Sequence, residues 1–415
     1  MIKLAILFQE DEMEHMDLSH PENGNPGVGG TAFCFLLLMK YLNQYQDTVD
    51  YTVYHLKENR LPSEKAKKTE SIREALEQAV LDGNEMILIR NHQTKEAYEL
   101  MAGYPLKYII WMHNKLTLEE IRLLDRWEAV SRIICVGREM YDYYLDDRII
   151  RKMDVVRNIF VPPEGEMVRG DQYPPYVTYT GSLTYDKNFH LLAAVWKEIV
   201  SLVPDAQLHV IGSGKLYDQN SMMGAMGIAD KEYEEMFLPF LCDKEGSLLP
   251  SVIFHGIMGE EKYEIYRQSA VGVVNPMATE TFCLSAIEKE ACGIPVVSRR
   301  KNGLLDTVQD GKTGILYKDV KELASVIVDL LMDKEKNIRM GQAAAAFART
   351  EFLPEKVLPE WIRVLTEVHA GKSAKYRKPA ANLDNNGKWV RRIWHGLHCI
   401  PILKGLPSIH DIQKK

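Results

Sequence analysis

The chain has 415 residues, enough for two or three domains. Its 46% apolar and 26% charged residues are ordinary for globular protein and exclude a disordered or collagen-like chain. With 51 basic against 58 acidic residues the net charge is −7, so there is no chain-wide basic field of the kind that binds nucleic acid.

Six cysteines (Cys34, Cys135, Cys242, Cys283, Cys292 and Cys399) are scattered without a CxxC pair. That argues against a zinc ribbon or a disulfide framework and fits a reducing cytoplasm. No apolar run reaches the roughly 20 residues of a membrane span. The run Ile2–Phe8 is followed at once by Glu10, Asp11, Glu12 and Glu14, so it reads as a buried first strand and not a signal peptide.

In chain order, short apolar runs alternate with amphipathic segments. Strands are expected at Lys3–Phe8, Tyr51–Tyr54, Met86–Ile89, Tyr108–Met112, Arg132–Val136 and Asp154–Val156. A second set follows at Tyr176–Gly181, Gln207–Ile211, Val252–His255, Gly272–Asn275, Ile294–Ser298 and Gly314–Leu316. Helices are expected at Phe33–Met39, Ser71–Leu81, Leu118–Trp127, Phe189–Leu202, Glu260–Ser269, Leu284–Cys292 and Val320–Met332. Strand–helix alternation with β-branched strands means parallel sheets covered by helices. The pattern restarts near Tyr176, after a linker marked by Pro162, Pro163, Pro174 and Pro175. The expectation is two doubly wound α/β domains facing a central cleft, 1–165 and 166–365, followed by a tail, 366–415. Ligands of such sheets sit beyond the carboxyl ends of the strands.

The most informative segment runs from Asn275 to Gly293, NPMATETFCLSAIEKEACG. A strand ends near Asn275 and a helix starts near Phe282. The backbone N–H groups of Cys283, Leu284 and Ser285 are first-turn donors, which with the helix dipole suit an anion. Glu280 and Glu288 are acceptors beside that helix end, suited to sugar and ribose hydroxyls. Taken alone, they are better explained as a dipole partner and a solvated helix residue.

Other segments add to this. Gly181 ends a strand, with Ser182 next and Lys187 six residues on, where a lysine can reach a diphosphate. Gly212 and Gly214 let a ligand approach the backbone. Gly24-Asn-Pro-Gly-Val-Gly-Gly30 opens an apolar helix, which suits phosphate or is a flexible turn. It is neither a dinucleotide fingerprint nor a P-loop. His113 follows a strand, at a carboxyl end.

Taken in order, these segments resemble the family 4 retaining glycosyltransferases with the GT-B fold, over roughly residues 1–365. The strongest match is the family's E-x7-E motif, Glu280 to Glu288, with Ala291-Cys-Gly-Ile-Pro-Val-Val297 behind it. Asp310-Gly-Lys-Thr-Gly314 and Phe254-His-Gly-Ile-Met258 also match, the latter where the family holds the nucleotide base. The resemblance implies that Gly29 and Gly30 touch the donor diphosphate and that Lys187 neutralises it. It further implies that Glu288 holds the ribose and that Glu280 and His113 contact the transferred sugar. The remaining donor contacts would be Gly181, Ser182, Gly212, Met258, Phe282, Cys283, Leu284 and Ser285. No metal or other cofactor is expected, since no DxD is present.

Two departures stand out. The family's Arg after Gly181 is here Ser182, leaving Arg299, Arg300 or Lys301 as substitutes. The stretch Lys215–Pro250 is longer than the family needs and carries Met222, Met223 and Met226.

From Gly371 onward ten basic and two acidic residues give +8 against the chain's −7, so residues 1–370 carry −15. Trp389, Ile393 and Leu397 share a helical face near Arg391 and Arg392. This is either an interfacial membrane helix over 387–401 or a brace returning to the N-terminal domain. The expected function is transfer of a hexose from a nucleotide sugar, UDP more than GDP, to a saccharide. That saccharide would be lipid-linked, with the enzyme cytoplasmic and peripheral at the inner membrane face, in cell-surface polysaccharide assembly. The alternatives are a soluble or protein acceptor, a nucleotide-sugar 2-epimerase, or a donor-binding subunit without activity.

Overall fold

The computed structural model describes residues 1–9, 13–162, 168–214, 222–380, 385–403 and 405–412. The chain folds as two units, one of Met1–Pro21, Thr31–Ile159 and Pro354–Lys415, the other of Glu22–Gly30 and Phe160–Leu353.

In the first unit, β1 (Ile2–Phe8) is followed by α1 (Gly30–Leu42), β2 (Val49–His55), β3 (Ala66–Lys68), α2 (Ile72–Leu81) and β4 (Met86–Arg90). Then come α3 (Lys95–Met101), β5 (Lys107–Met112), α4 (Leu118–Arg126), β6 (Val130–Cys135), α5 (Arg138–Asp142) and β7 (Met153–Val155). All strands pair in parallel, in the order β3-β2-β1-β4-β5-β6-β7. Leu4–Phe8, Met86–Ile89 and Tyr108–Met112 are buried throughout. Helices on both faces of a parallel sheet explain these unbroken apolar runs. Ser71, Thr94 and Thr117 cap α2, α3 and α4 by accepting the N–H of Glu74, Ala97 and Glu120. Strand β3 has no sequence signature, because it is an edge strand whose lysines face solvent.

The second unit begins with β8 (Tyr176–Thr180), α6 (Phe189–Leu202), β9 (Gln207–Ile211), α7 (Lys231–Leu241), β10 (Val252–Gly256) and α8 (Lys262–Tyr266). It continues with β11 (Ser269–Val273), α9 (Leu284–Ala291), β12 (Val296–Arg299), α10 (Leu304–Thr307), β13 (Gly314–Tyr317), α11 (Leu323–Met332) and α12 (Lys334–Glu351). The parallel order is β10-β9-β8-β11-β12-β13. Trp196, Phe189, Phe237 and Val271 lie in its core. Helix α8 is shorter than expected, because the chain must already turn at Ser269 to enter β11.

The chain then returns to the first unit as α13 (Pro354–His369), α14 (Lys388–His398) and α15 (Ile409–Ile412). The crossings fall at Ile159–Phe160 and Leu353–Pro354, not at 165 and 365. Helix α13 belongs with the first sheet: Arg363 donates to Asp154 Oδ2 at 3.0 Å, and Trp361 meets Trp111 edge-on at 4.8 Å.

The tail is a brace. Lys388 Nζ lies 2.7 Å from Glu139 Oε1 and 3.0 Å from Asp142 Oδ2, and Arg391 lies 2.7 Å from Asp146 Oδ1. These side chains are almost wholly buried. Of the two expectations for 387–401, Lys388 and Arg391 follow the brace: the acids of the first unit take their charge inward. Lys404, Lys414 and Lys415 lie outside the described residues.

Candidate active site

In a doubly wound sheet the crevice opens where strand order reverses, beyond the carboxyl ends of the flanking strands. In the second unit that point lies between β8 and β11. The loop after β8 carries Gly181 to Asn188, and the loop after β11 carries Asn275 to Cys283.

These two loops are tied together. Lys187 Nζ donates to Glu280 Oε1 at 2.7 Å. Asn275 Nδ2 donates to the same oxygen at 3.0 Å and to Thr279 Oγ1 at 2.6 Å. Asn188 Nδ2 donates to Asn275 Oδ1 at 3.2 Å. Lys187 and Glu280 are each about one-fifth exposed, so a ligand can reach both. Lys187 is thus not a free cation: Glu280 partners it.

The backbone here is unusual. Asn188, Asn275, Ala278, Cys283 and Asn302 all have positive φ, at 57°, 22°, 51°, 85° and 50°. Asparagine tolerates this region, but Ala278 and Cys283 store strain of roughly 1–3 kcal/mol each. Strain of this kind gathers at functional loops. Gly212, at φ 135°, must be glycine: a Cβ there would lie 1.9 Å from the Gly181 carbonyl oxygen. Gly181 and Gly212 therefore close two strand ends against each other.

Helix α9 starts at Leu284 with no side-chain cap; the Ala286 N–H bonds the Cys283 carbonyl at 3.2 Å, which leaves the Leu284 and Ser285 N–H groups to an outside acceptor. Phe282 is buried edge-to-face against Phe352 at 5.7 Å, so only its backbone can serve a ligand. Burial pushes the Cys283 thiol up to about 12, with Glu280 adding to the effect, so Cys283 is no thiolate nucleophile.

Glu288 is buried and paired with Lys262, Nζ to Oε1 2.8 Å. It is not the solvated helix residue that its position allowed. Met258 packs by the apolar group of Ile211, Tyr263 and Tyr266. The Gly-rich loop lies in this unit: Gly24 sits against Glu260, and Gly27 against Ile257. Asn25 Oδ1 holds the loop by accepting the N–H of Gly27 and Val28. Gly29 is half-buried there, and Gly30 opens α1.

Of the cations able to stand in for the missing Arg, Arg300 faces Asp310 at 3.5 Å, whereas Arg299 donates to Met277 Sδ at 3.2 Å, beside the strained loop. Lys301 is exposed. Ser182 is buried, with its Oγ 3.1 Å from Thr184 Oγ1.

His113 belongs to the first unit. It is 7% exposed, packed by Trp111 and Phe35, and its N–H donates to Asn91 Oδ1. Burial, helped by the Arg90 charge, lowers its pKa to about 3, so it is neutral at ordinary pH. Lys262, Asn275 and Thr279 were not singled out from sequence. Asn275 could have been, as the residue ending the strand before Glu280. Lys262 could not, since nothing in spacing pairs it with a residue on another helix.

The long stretch after Gly214 is held by Glu234, which accepts the N–H of Met226 at 2.8 Å and Ile228 at 3.0 Å. Its residues 215–221 lie outside the described residues. A depression of about 660 Å³ lies at the opposite, amino ends of β8 and β9, around Tyr176, Gln207 and Ser251, away from these groups. Among the described residues, no three His, Cys, Asp or Glu side chains group as a metal site, and no helix is long and apolar enough to cross a membrane.

Residues 174–333 match the family model described as glycosyl transferases group 1. A D-inositol 3-phosphate glycosyltransferase of Corynebacterium jeikeium is 24% identical over 72% of this chain and 61% of its own length. A sulfoquinovosyl transferase of Arabidopsis thaliana is 27% identical over 42% of this chain and 30% of its own length. A GDP-mannose-dependent phosphatidylinositol monomannoside mannosyltransferase of Mycolicibacterium smegmatis is 28% identical over 42% of this chain and 43% of its own length. The aligned parts thus span about a third to three-fifths of these relatives. Among solved structures, Anabaena HepE with UDP and glucose superposes with a TM-score of 0.64 at 16% identity, over 88% of this chain and all of its own. Sucrose-phosphate synthase of Thermosynechococcus elongatus gives 0.62 at 17%, over 90% and 100%.

The fold is GT-B: two Rossmann-like units, each on a parallel sheet. Residues 174–333, which hold the E-x7-E segment, match the glycosyl transferases group 1 family, as that segment and its companions implied.

Proposed function

We propose that the protein is a retaining glycosyltransferase that moves a hexose from a nucleoside diphosphate, uridine rather than guanosine, to a hydroxyl of a lipid-linked saccharide. The observation that carries this reading is the Lys187–Glu280 pair at the β8/β11 switch point, beside an uncapped helix end. The pair is a switch of partners. An arriving diphosphate takes Lys187 and the first-turn N–H groups of α9, and releases Glu280 to accept hydrogen bonds from the sugar. Charge on the leaving diphosphate is stabilised by Lys187 and the helix end, an electrostatic effect of the oxyanion-hole kind. Arg299 supplies the second cation that Ser182 cannot. Glu288, held in place by Lys262, takes the ribose hydroxyls.

The anomeric carbon–phosphate oxygen bond breaks as the acceptor oxygen bonds on the same face, and the acceptor proton passes to the departing phosphate oxygen. A covalent intermediate on Cys283 is disfavoured, because its thiol is held protonated. His113, neutral, offers a hydrogen bond to the transferred sugar and not a proton at ordinary pH.

The lipid-linked acceptor draws support from a relative named for a phosphatidylinositol substrate. That relative is named for GDP-mannose, whereas the superposed HepE holds UDP. Thermal shift with UDP-glucose, UDP-N-acetylglucosamine and GDP-mannose tests the base. Transfer of labelled sugar into a lipid extract against free oligosaccharides tests the acceptor. Stabilisation by GDP-mannose alone would overturn the uridine assignment, and label found only in free oligosaccharides would overturn the lipid acceptor.

A further inference from the structure

Helix α14 is amphipathic in the reverse of the usual sense. One face carries Lys388 and Arg391, 1% and 2% exposed, sunk onto Glu139, Asp142 and Asp146. Ile409 N–H also donates to Asp146, at 2.6 Å, and the Arg391 guanidinium lies over the Tyr143 ring at 4.5 Å. The positive face of the helix is therefore spent inside the first unit.

At helical spacing the opposite face presents Trp389, Arg392, Ile393 and, past the helix end, Ile400. Trp389 and Ile393 are 57% and 56% exposed, and Ile402 in the following turn is 93% exposed. Trp394, to the side, is tied down by its indole N–H to the Pro407 carbonyl at 2.7 Å. An exposed apolar stripe of this composition is not ordinary surface.

We propose that this outward stripe docks the protein on a lipid bilayer, with α14 lying flat and Trp389, Ile393, Ile400 and Ile402 at the boundary of headgroups and acyl chains. The chemistry favours a bilayer over a second protein chain. The four side chains offer on the order of 400 Å² of apolar surface, about half the 800 Å² per partner that a stable protein interface uses. An interfacial helix needs no such area, and tryptophan favours the headgroup level. Charge fits as well. Arg392 on α14 is exposed, as are Lys372 and Lys378 earlier in the tail, while residues 1–370 carry −15, so an anionic surface attracts the tail and repels the rest. Because Lys388 and Arg391 are already neutralised, apolar partitioning and not charge holds the protein there, and docking tolerates salt.

The inference deepens the reading of a lipid-linked acceptor and rests on it for purpose, though not for geometry. The test is co-sedimentation of the full chain with vesicles of phosphatidylcholine alone and with phosphatidylglycerol added, in low salt and in about 1 M salt, where screening shortens to about 3 Å. The expected result is binding to both, with most of it kept in high salt. Trp389→Ser with Ile393→Ser should lower partitioning at least about tenfold without moving the melting temperature, since both side chains are exposed. Wild-type binding that needs phosphatidylglycerol and vanishes in salt would overturn the proposal, as would a double variant that binds like wild type. Concentration-dependent dimerisation that the double variant abolishes, without vesicle binding, would overturn it in favour of a second copy. Vesicle binding as expected, with label transferred only to free oligosaccharides, would sink the lipid-acceptor reading and leave the docking intact.

Discussion

Lys262 on α8 and Glu288 on α9 form a buried ion pair, Nζ to Oε1 2.8 Å, with side chains 7% and 9% exposed. Neither helix explains its residue alone: a lone buried carboxylate takes up a proton, and a lone buried ammonium loses one. Lys262 engages one carboxylate oxygen of Glu288, which leaves Glu288 an acceptor for a pair of hydroxyls. Glu288→Ala should weaken donor binding by more than tenfold, the value of a charged hydrogen bond at about 1.5–3 kcal/mol. Lys262→Met leaves the carboxylate unpaired and should cost about 3–5 kcal/mol of stability. Lys262→Met with Glu288→Gln should recover most of that stability but not the affinity. Calorimetry of donor binding beside thermal melts checks this. Full affinity in Glu288→Ala would remove the ribose role.

The Lys187–Glu280 contact makes a separate prediction. If Lys187 passes from Glu280 to the diphosphate, Lys187→Ala should lower turnover more than about a hundredfold, the scale of one lost transition-state charge contact. Glu280→Gln keeps the shape and removes the competing charge. It should bind free nucleoside diphosphate no worse than wild type while losing turnover. Loss of diphosphate affinity in Glu280→Gln would show that the carboxylate positions Lys187 and does not merely hold it in waiting.

Much of this was readable in the sequence. The parallel sheets announce themselves because strands buried on both faces are apolar without a break, as in Met86–Ile89 and Tyr108–Met112. The loop from Asn275 to Cys283 was visible as polar residues between a strand and a helix. What was hidden depends on distant pairings. Lys262 meets Glu288 from another helix, and Arg391 meets Asp146 from the far end of the chain. A periodic pattern gives the faces of α14 but not which face turns inward. Buried acids on the first unit reversed the ordinary assignment. Strand β3, short and rich in lysine, had no period to detect.

Lys289 gives a pH signature. It is fully buried, with Nζ 3.4 Å from the Tyr266 hydroxyl, and burial lowers its pKa from 10.5 to about 7. The unfolded chain therefore binds a proton that the folded chain lacks between about pH 7 and 10.5, so this group's contribution to stability rises with pH across that window. Below about pH 7 the full penalty of a buried charge is present. Lys289→Met should flatten the rise and stabilise the protein near neutral pH by a few kcal/mol. Melting temperatures of both proteins from pH 6.5 to 10 would show it, the interval being about the window just named. Parallel curves would mean that Lys289 keeps its charge through another contact.

The last prediction separates the two faces of α14. Inward, Arg391 is the cation for Asp146, and both side chains are essentially buried. Arg391→Met keeps the stem of the side chain and removes the charge, so a carboxylate is left buried without its ion-pair partner. A cost of about 3–5 kcal/mol is expected, or a melting temperature lower by on the order of 10 °C for a unit of this size. Arg391→Met with Asp146→Asn should restore part of it, because an amide is cheaper to bury than an unpaired carboxylate. Outward, Trp389→Ala should change stability by less than about 0.5 kcal/mol, as an exposed position does. Truncation after Asn386 removes the helix but also opens Glu139, Asp142 and Asp146 to water, which offsets part of the loss. Its melting temperature should fall less than the sum of Arg391→Met and Lys388→Met. Donor affinity should survive truncation, since Lys187, Glu280 and Glu288 all belong to the second unit. A truncated protein that melts like wild type would show that the ion pairs add nothing to the first unit.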